Sequence, residues 1–261
     1  MSDKSTAPRL LAMKERGEKI VCLTAYDAYF GRLVDESGVD AILVGDSVGN
    51  VLLGYDTTIP VTLDEMLHHT RAVRRGVKRA LLIADLPFGS YQSSISQAID
   101  SAVALMKAGA EAVKLEGDYP ETVAALVKAG IPTMGHLGMT PQSVHRFGGF
   151  RVQGRGDDSL QVSQAAGSLG EAGAFGIVLE LIPSELAKEI SGNTKAATIG
   201  IGAGQGCDGQ IQVLHDVLGF GSQIFKHAKP YMSGETLASD AMKEYVAEVR
   251  DHSFPTVNNS F

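Results

Sequence analysis

Residues 80–115 read ALLIADLPFGSYQSSISQAIDSAVALMKAGAEAVKL and contain one full structural period of the chain. Residues 80–84 form a continuous apolar run, the pattern of a strand buried on both faces. The run ends in Asp85, and a polar turn follows. Ser94-Ile-Ser-Gln97 then offers the capping spacing that opens a helix, and Gly109 offers its stop. A second buried run at residues 112–115 completes a strand, helix, strand unit, which requires the two strands to be parallel.

The same period repeats in both directions. Further apolar runs lie at residues 20–24, 41–44, 131–134, 176–179, 197–201 and, less clearly, 211–218. Thr62-Leu-Asp-Glu65 opens a helix that stops near Gly76, and helical patterns at residues 121–128, 160–171 and 184–190 end near Gly130, Gly173 and Gly192. Arg74-Arg75 and Lys78-Arg79 stand where the first of these ends and complement its dipole. A doubly wound sheet would carry a glycine fingerprint in its first strand-to-helix turn, but Thr24-Ala-Tyr-Asp-Ala28 has no glycine. Eight units in about 250 residues predict an α/β fold of the (β/α)8 TIM barrel type. No linker divides the chain, so residues 1–261 are expected to form a single barrel domain with a C-terminal helical extension.

Composition narrows the function. The 261 residues carry 23 Lys+Arg against 30 Asp+Glu, a formal charge of −7, and no extended basic block, which argues against a nucleic-acid or anionic-membrane partner. No apolar run reaches the roughly 18 residues of a membrane span, and the first residues lack a signal peptide's apolar stretch, so a cytoplasmic location is expected. Two cysteines are too few for a disulfide framework: Cys22 reads as a core residue, and Cys207 as partly exposed with no role.

Chemistry gathers where the runs end. Asp46, Asp85, the pair Lys114 and Glu116, His136 and Glu180 follow five consecutive runs, too regular a placement for a chain only 20% charged. A barrel brings these ends to one face. Carboxylates crowded there would repel one another and take up protons, a conflict that a divalent cation removes. An all-oxygen donor set without Cys or paired His points to Mg2+. Lys114 and Glu116, two apart on a strand, share a face, and an inward Lys114 needs an anionic partner such as a substrate carboxylate. Plainer roles stay open: turn or capping residues for Asp46, Asp85 and Glu180, an ion pair for Lys114 and Glu116, a satisfied rim histidine for His136.

Four further features are weaker. The glycines of residues 200–206 either let backbone pass close to packed neighbours or face a ligand. Residues 138–158 lack helix or strand pattern and carry Arg146, Arg151 and Arg155, which suits a lid or rim for an anion. His68, His69, His145, His215 and His227 read as structural or solvated. Tyr26 and Asp27 could line the site's mouth.

The stretches Thr24-Ala-Tyr-Asp27, Val44-Gly-Asp-Ser47, Ala84-Asp-Leu-Pro-Phe88, Val113-Lys-Leu-Glu-Gly117, Gly135-His-Leu-Gly-Met-Thr-Pro-Gln142, Val152-Gln-Gly-Arg155 and Ile199-Gly-Ile-Gly-Ala-Gly204 resemble the 3-methyl-2-oxobutanoate (ketopantoate) hydroxymethyltransferase family. The resemblance extends from about residue 10 to residue 230, with Phe150 where a tyrosine-type aromatic is common. It implies a Mg2+-dependent transferase of pantothenate biosynthesis that moves a hydroxymethyl group from 5,10-methylenetetrahydrofolate to 3-methyl-2-oxobutanoate. By the same resemblance Asp46, Asp85 and Glu116 are the metal-site acids. Asp46, Ser47, Asp85 and Lys114 contact the oxo acid, and Glu180 is the proton acceptor. His136 is expected to hydrogen-bond the bound acid or folate. A homo-oligomer, typically a decamer, is also implied. Two rival readings are another Mg2+-dependent, enolate-forming lyase or mutase acting on a 2-oxo acid, and a non-catalytic barrel that binds an anionic metabolite.

Overall fold

Strands whose two faces both avoid water have nowhere to end but against one another and under helices. In the computed structural model, which describes residues 4–221 and 225–261, eight parallel strands pair in chain order and the eighth closes on the first. They are β1 (Ile20–Thr24), β2 (Ala41–Val44), β3 (Leu81–Asp85), β4 (Ala112–Lys114), β5 (Thr133–Gly138), β6 (Gly176–Glu180), β7 (Ala197–Ile201) and β8 (Gly209–Gln212). This is the TIM barrel expected from the sequence. It lies within the compact unit that ends at Val213; Leu214–Phe261 forms a second unit with helices Leu214–Leu218 and Gly234–Asp251.

The eighth strand differs from its sequence reading. The apolar run from residue 211 straddles two elements: Gly209–Gln212 is strand and Leu214–Leu218 is helix. So short a run fits both periods, and β8 starts on a glycine that adds nothing to the apolar signal.

Local chemistry explains the helix boundaries. Thr62 and Glu65 form a reciprocal capping box at the start of Leu63–Gly76. Ser94 accepts from Gln97 N at the start of Ile95–Ala108, and Gly109 ends it with a left-handed backbone at φ 113°. Asp27, expected near the mouth, instead caps Ala28–Glu36 by accepting from Phe30 N. The barrel's interior is packed solid. Ile20, Cys22, Ala41, Leu43, Leu81, Ile83, Ala112, Met134 and Val178 fill it, together with Leu10 and Met13 from the N-terminal helix Ala7–Glu15. Each Leu, Ile, Val or Met side chain among them contributes about 1.5–3 kcal/mol, and the alanines less.

Candidate active site

The inward row of each strand continues from this apolar layer into a polar one, because side chains two apart share a face. On β3 the row runs Leu81, Ile83, Asp85; on β4 it runs Ala112, Lys114 and, past the strand end, Glu116. On β5 Met134 is followed by His136, and on β6 Val178 by Glu180. Asp46 breaks the rhythm: it lies in the turn after β2, and its own backbone N–H donates to Asp85 Oδ2 at 3.0 Å.

Asp85 and Lys114 are register partners, and Lys114 Nζ lies 2.6 Å from Asp85 Oδ1. His136 bridges two acids, with Nδ1 3.3 Å from Glu116 Oε1 and Nε2 3.2 Å from Glu180 Oε2. Both are ion-pair distances without hydrogen-bond geometry. Ser47 Oγ is 2.8 Å from Tyr26 OH, and His69 Nδ1 meets the Tyr26 carbonyl oxygen at 2.7 Å. Neither Ser47 nor Asp46 caps the short helix Val48–Val51 with a side chain, and helix Ser184–Asn193 takes no cap from Glu180.

Charge is out of balance here. Asp46, Asp85, Lys114 and Glu116 are each at most 4% exposed, so solvent screens them little. Burial first, and then the charges of Asp85 and Glu116, push the Asp46 carboxyl well above its ordinary range. Burial also raises Asp85, against the pull of Lys114. Burial opposes the Lys114 charge, but Asp85, Glu116 and Asp46 together hold its pKa above the ordinary lysine value. For Glu116, burial is outweighed by His136, Lys114 and the Gln142 N–H, and its pKa falls. Burial and Lys114 disfavour a charged His136, yet Glu116 and Glu180 raise it to about 9.

A sequence model of ketopantoate hydroxymethyltransferases matches residues 4–257 of this chain. The chain belongs to the ketopantoate hydroxymethyltransferase family. The 3-methyl-2-oxobutanoate hydroxymethyltransferase of Magnetococcus marinus is 50% identical over 266 residues, spanning 100% of this chain and 99% of its own. That of Gloeobacter violaceus is 53% identical over 249 residues, spanning 93% and 95%. Among solved structures, a phosphonopyruvate hydrolase complex with oxalate and Mg2+ superposes with a TM-score of 0.63 at 15% identity, covering 98% of this chain and 93% of that one. An oxaloacetate acetylhydrolase superposes at 0.61 with 14% identity, covering 100% and 92%. At such identities the likeness is one of fold.

Family membership raises the question of whether these side chains suit Mg2+. The donors are carboxylate oxygens, and the charges of Asp85 and Glu116 add to burial in raising the Asp46 carboxyl. Among the described residues no three His, Cys, Asp or Glu side chains stand close enough to enclose an ion. The set therefore fits an ion held by one or two carboxylates, with water or substrate oxygens in its other positions, the usual manner of Mg2+.

Two polar residues of this family member, Gln142 and Tyr91, escaped the sequence reading, whereas Tyr26 was expected at the mouth. Gln142 is buried between Asp46 and Glu116, Tyr91 is buried against Glu116 and Gln142, and Tyr26 is bonded to Ser47. Gln142 closes the quoted motif that contains His136, which was the one available signal. In the glycine-rich turn after β7, Gly204 lets backbone pass close to a packed neighbour: at φ 77°, an added Cβ would sit 2.6 Å from Ser184 Cβ. Residues 138–158 are not featureless, since Pro141–Ser143 is a 3-10 turn and Val144–Phe147 a helix, both too short for periodicity to reveal. Cys207, expected partly exposed, is buried, and burial pushes its thiol up. Among the described residues no helix is long and apolar enough to cross a membrane.

Proposed function

We propose that this chain transfers a hydroxymethyl group from 5,10-methylenetetrahydrofolate to 3-methyl-2-oxobutanoate, giving 2-dehydropantoate, with Mg2+ as its metal. The observation that supports this most is the buried run of partners Lys114–Asp85–Asp46 beside the relay Glu116–His136–Glu180, which sets an anion-binding cation and a candidate base on one rim. Lys114 and Ser47 would hold the oxo acid's carboxylate. Asp46 and Asp85 would hold the ion, and Glu116, the third acid of the rim, would act on it only through water or substrate oxygens. Bound there, Mg2+ would draw charge from the keto oxygen and so make the C3 proton acidic enough for a carboxylate to remove.

Glu180 takes that proton on a carboxylate oxygen. His136, 3.2 Å from Glu180 Oε2, orients the acceptor and is itself anchored by Glu116. The C3 carbon then forms its new bond to the folate's one-carbon unit, the carbon–nitrogen bonds to the folate break, and water supplies the hydroxyl. The arginines of residues 138–158 would meet the folate's carboxylates. A homo-oligomer, a decamer by family resemblance, belongs to the same proposal and is measurable by analytical ultracentrifugation.

Proton NMR of 3-methyl-2-oxobutanoate in D2O, without folate, tests the reading. The enzyme should exchange the C3 proton only with Mg2+ present, and Glu180→Gln should slow exchange more than about a hundredfold while retaining calorimetric binding of the oxo acid. Exchange at the parent rate in that variant removes Glu180 from the role. Asp46→Ala or Asp85→Ala should instead weaken Mg2+-dependent binding.

A further inference from the structure

Gln142 reaches two of the acids at once. Its backbone N–H donates to Glu116 Oε2 at 2.9 Å, and its side-chain Nε2 donates to Asp46 Oδ2 at 2.8 Å. Glu116 and Asp46 come from the ends of β4 and β2, which are not neighbours in the barrel. One residue in the turn after β5 thus ties two separate strand ends together.

The amide has a single workable orientation. Nε2 also lies 3.0 Å from the Leu86 carbonyl oxygen, and a backbone carbonyl can only accept, so the amide atom facing it is the nitrogen. Oε1 faces Tyr91 OH at 2.8 Å and Gln92 Nε2 at 3.2 Å. Tyr91 OH accepts from Glu116 N at 3.1 Å, which leaves its one proton for Gln142 Oε1 or the Glu116 carbonyl oxygen at 2.9 Å. Both amide hydrogens and the amide oxygen are therefore used.

The neutrality of this clamp matters. A second lysine in its place would cancel the negative charge that a cation needs, whereas an amide orients a carboxylate and leaves its charge intact. Among the described residues Asp46 Oδ1 accepts no hydrogen bond, so the bond to Oδ2 sets the direction in which the other oxygen is presented.

We propose that Gln142 is a positioning residue that presents Asp46 and Glu116 together to the cation and oxo acid, and that Tyr91 holds its amide in register. This rests on the hydroxymethyltransferase reading of the site. Gln142→Met keeps the side chain's length and removes its donor and acceptor; Tyr91→Phe removes one hydroxyl. The measurements are calorimetric affinity for Mg2+ with 3-methyl-2-oxobutanoate, the half-saturating Mg2+ and oxo acid in C3 exchange, and the metal-free thermal midpoint.

Gln142→Met should weaken affinity and raise both half-saturating concentrations roughly 10- to 100-fold, the range for one hydrogen bond to a charged group, with a smaller fall in the saturated rate. Tyr91→Phe should move the same quantities by about 3- to 10-fold, as for a neutral hydrogen bond. A lowered thermal midpoint with affinity and half-saturation unchanged overturns the proposal, because that is what a purely structural residue gives. If Gln142→Met does not fold, Tyr91→Phe decides the whole; if only Tyr91→Phe is silent, the Tyr91 part fails. Absence of Mg2+-dependent exchange in the parent enzyme refutes the functional reading instead.

Discussion

Replacing Lys114 by Met should destabilise the metal-free protein far more than replacing its partner Asp85 by Asn. At 2.6 Å the two charges attract by about 6 kcal/mol at an effective dielectric constant of about 20, and desolvation offsets much of that. Removing one member of a buried pair typically costs about 3–5 kcal/mol, because the other charge is left alone. Lys114→Met belongs at that level or above it, since Asp85 then faces Asp46 and Glu116 with no compensating ammonium. Asp85→Asn differs, because Lys114 keeps the attraction of Glu116 and Asp46 and one source of repulsion disappears. A loss of about 1–2 kcal/mol, the value of a weakened hydrogen bond, is expected there. The double variant should fall short of additivity by roughly 1–3 kcal/mol. Urea unfolding at fixed protein concentration in EDTA measures all four proteins. A Lys114→Met cost below about 1 kcal/mol, or one smaller than that of Asp85→Asn, refutes the charge balance described for the site.

Two further substitutions separate scaffold from chemistry. Burial works to raise the Asp35 pKa, but the backbone N–H groups of Ala80, Lys78 and Arg79 outweigh it and hold the carboxyl below its ordinary value. Asp35→Asn should therefore cost about 1–3 kcal/mol at pH 7. A depressed folded-state pKa gives stability that is present above the unfolded value near 3.9 and lost as pH falls through the folded one, so the gap to the variant should close below about pH 4. Denaturant midpoints at pH 7 and at acid pH check both statements, and an equal gap at both contradicts the assignment. Gly138→Ala would place a Cβ 2.2 Å from the Glu180 carbonyl oxygen at φ 90°, so a loss of at least about 3 kcal/mol is expected. A thermal midpoint within about 2 °C of the parent would show that the β5–β6 contact yields more easily than its geometry indicates.

Much of this was legible in the residues. The strands announced themselves because burial on both faces leaves continuous apolar runs, and the helices because Thr62, Ser94 and Gly109 carry the chemistry of helix ends. Asp85, Lys114, His136 and Glu180 were legible for a related reason: a charged or polar group at the end of an apolar run stands out. Gln142 and Tyr91 gave no such contrast. A neutral polar side chain in a turn has neither charge nor periodicity to mark it, and Gln142 meets Asp46 across 96 positions of chain. The helix cap formed by Asp27 was hidden by the same limit in reverse, since an acidic residue beside a strand end reads alike whether it faces a ligand or the first turn of a helix.

The alternation that builds the polar layer also makes it fragile. A one-residue slip of β4 would turn Lys114 and Glu116 outward and bring Val113 and Leu115 into the barrel. With only three residues in β4, the ladder alone fixes this register weakly. The remaining specification comes from the opposite end of the strands. Glu111 N donates to Leu82 O while Glu111 Oε2 accepts from Leu82 N at 3.0 Å, so the side chain extends the ladder by one bond. Lys4 Nζ holds the same carboxylate at 2.6 Å, and Arg74 approaches its other oxygen at 3.5 Å. Asp35 gathers the three N–H groups that lead into β3. These polar anchors touch no candidate site residue, yet the Glu111 set fixes which side chains of β4 face inward at the other end. A substitution at Glu111 should therefore disturb oxo-acid binding through register as well as stability, whereas Asp35, which holds only the approach to β3, should act on stability alone.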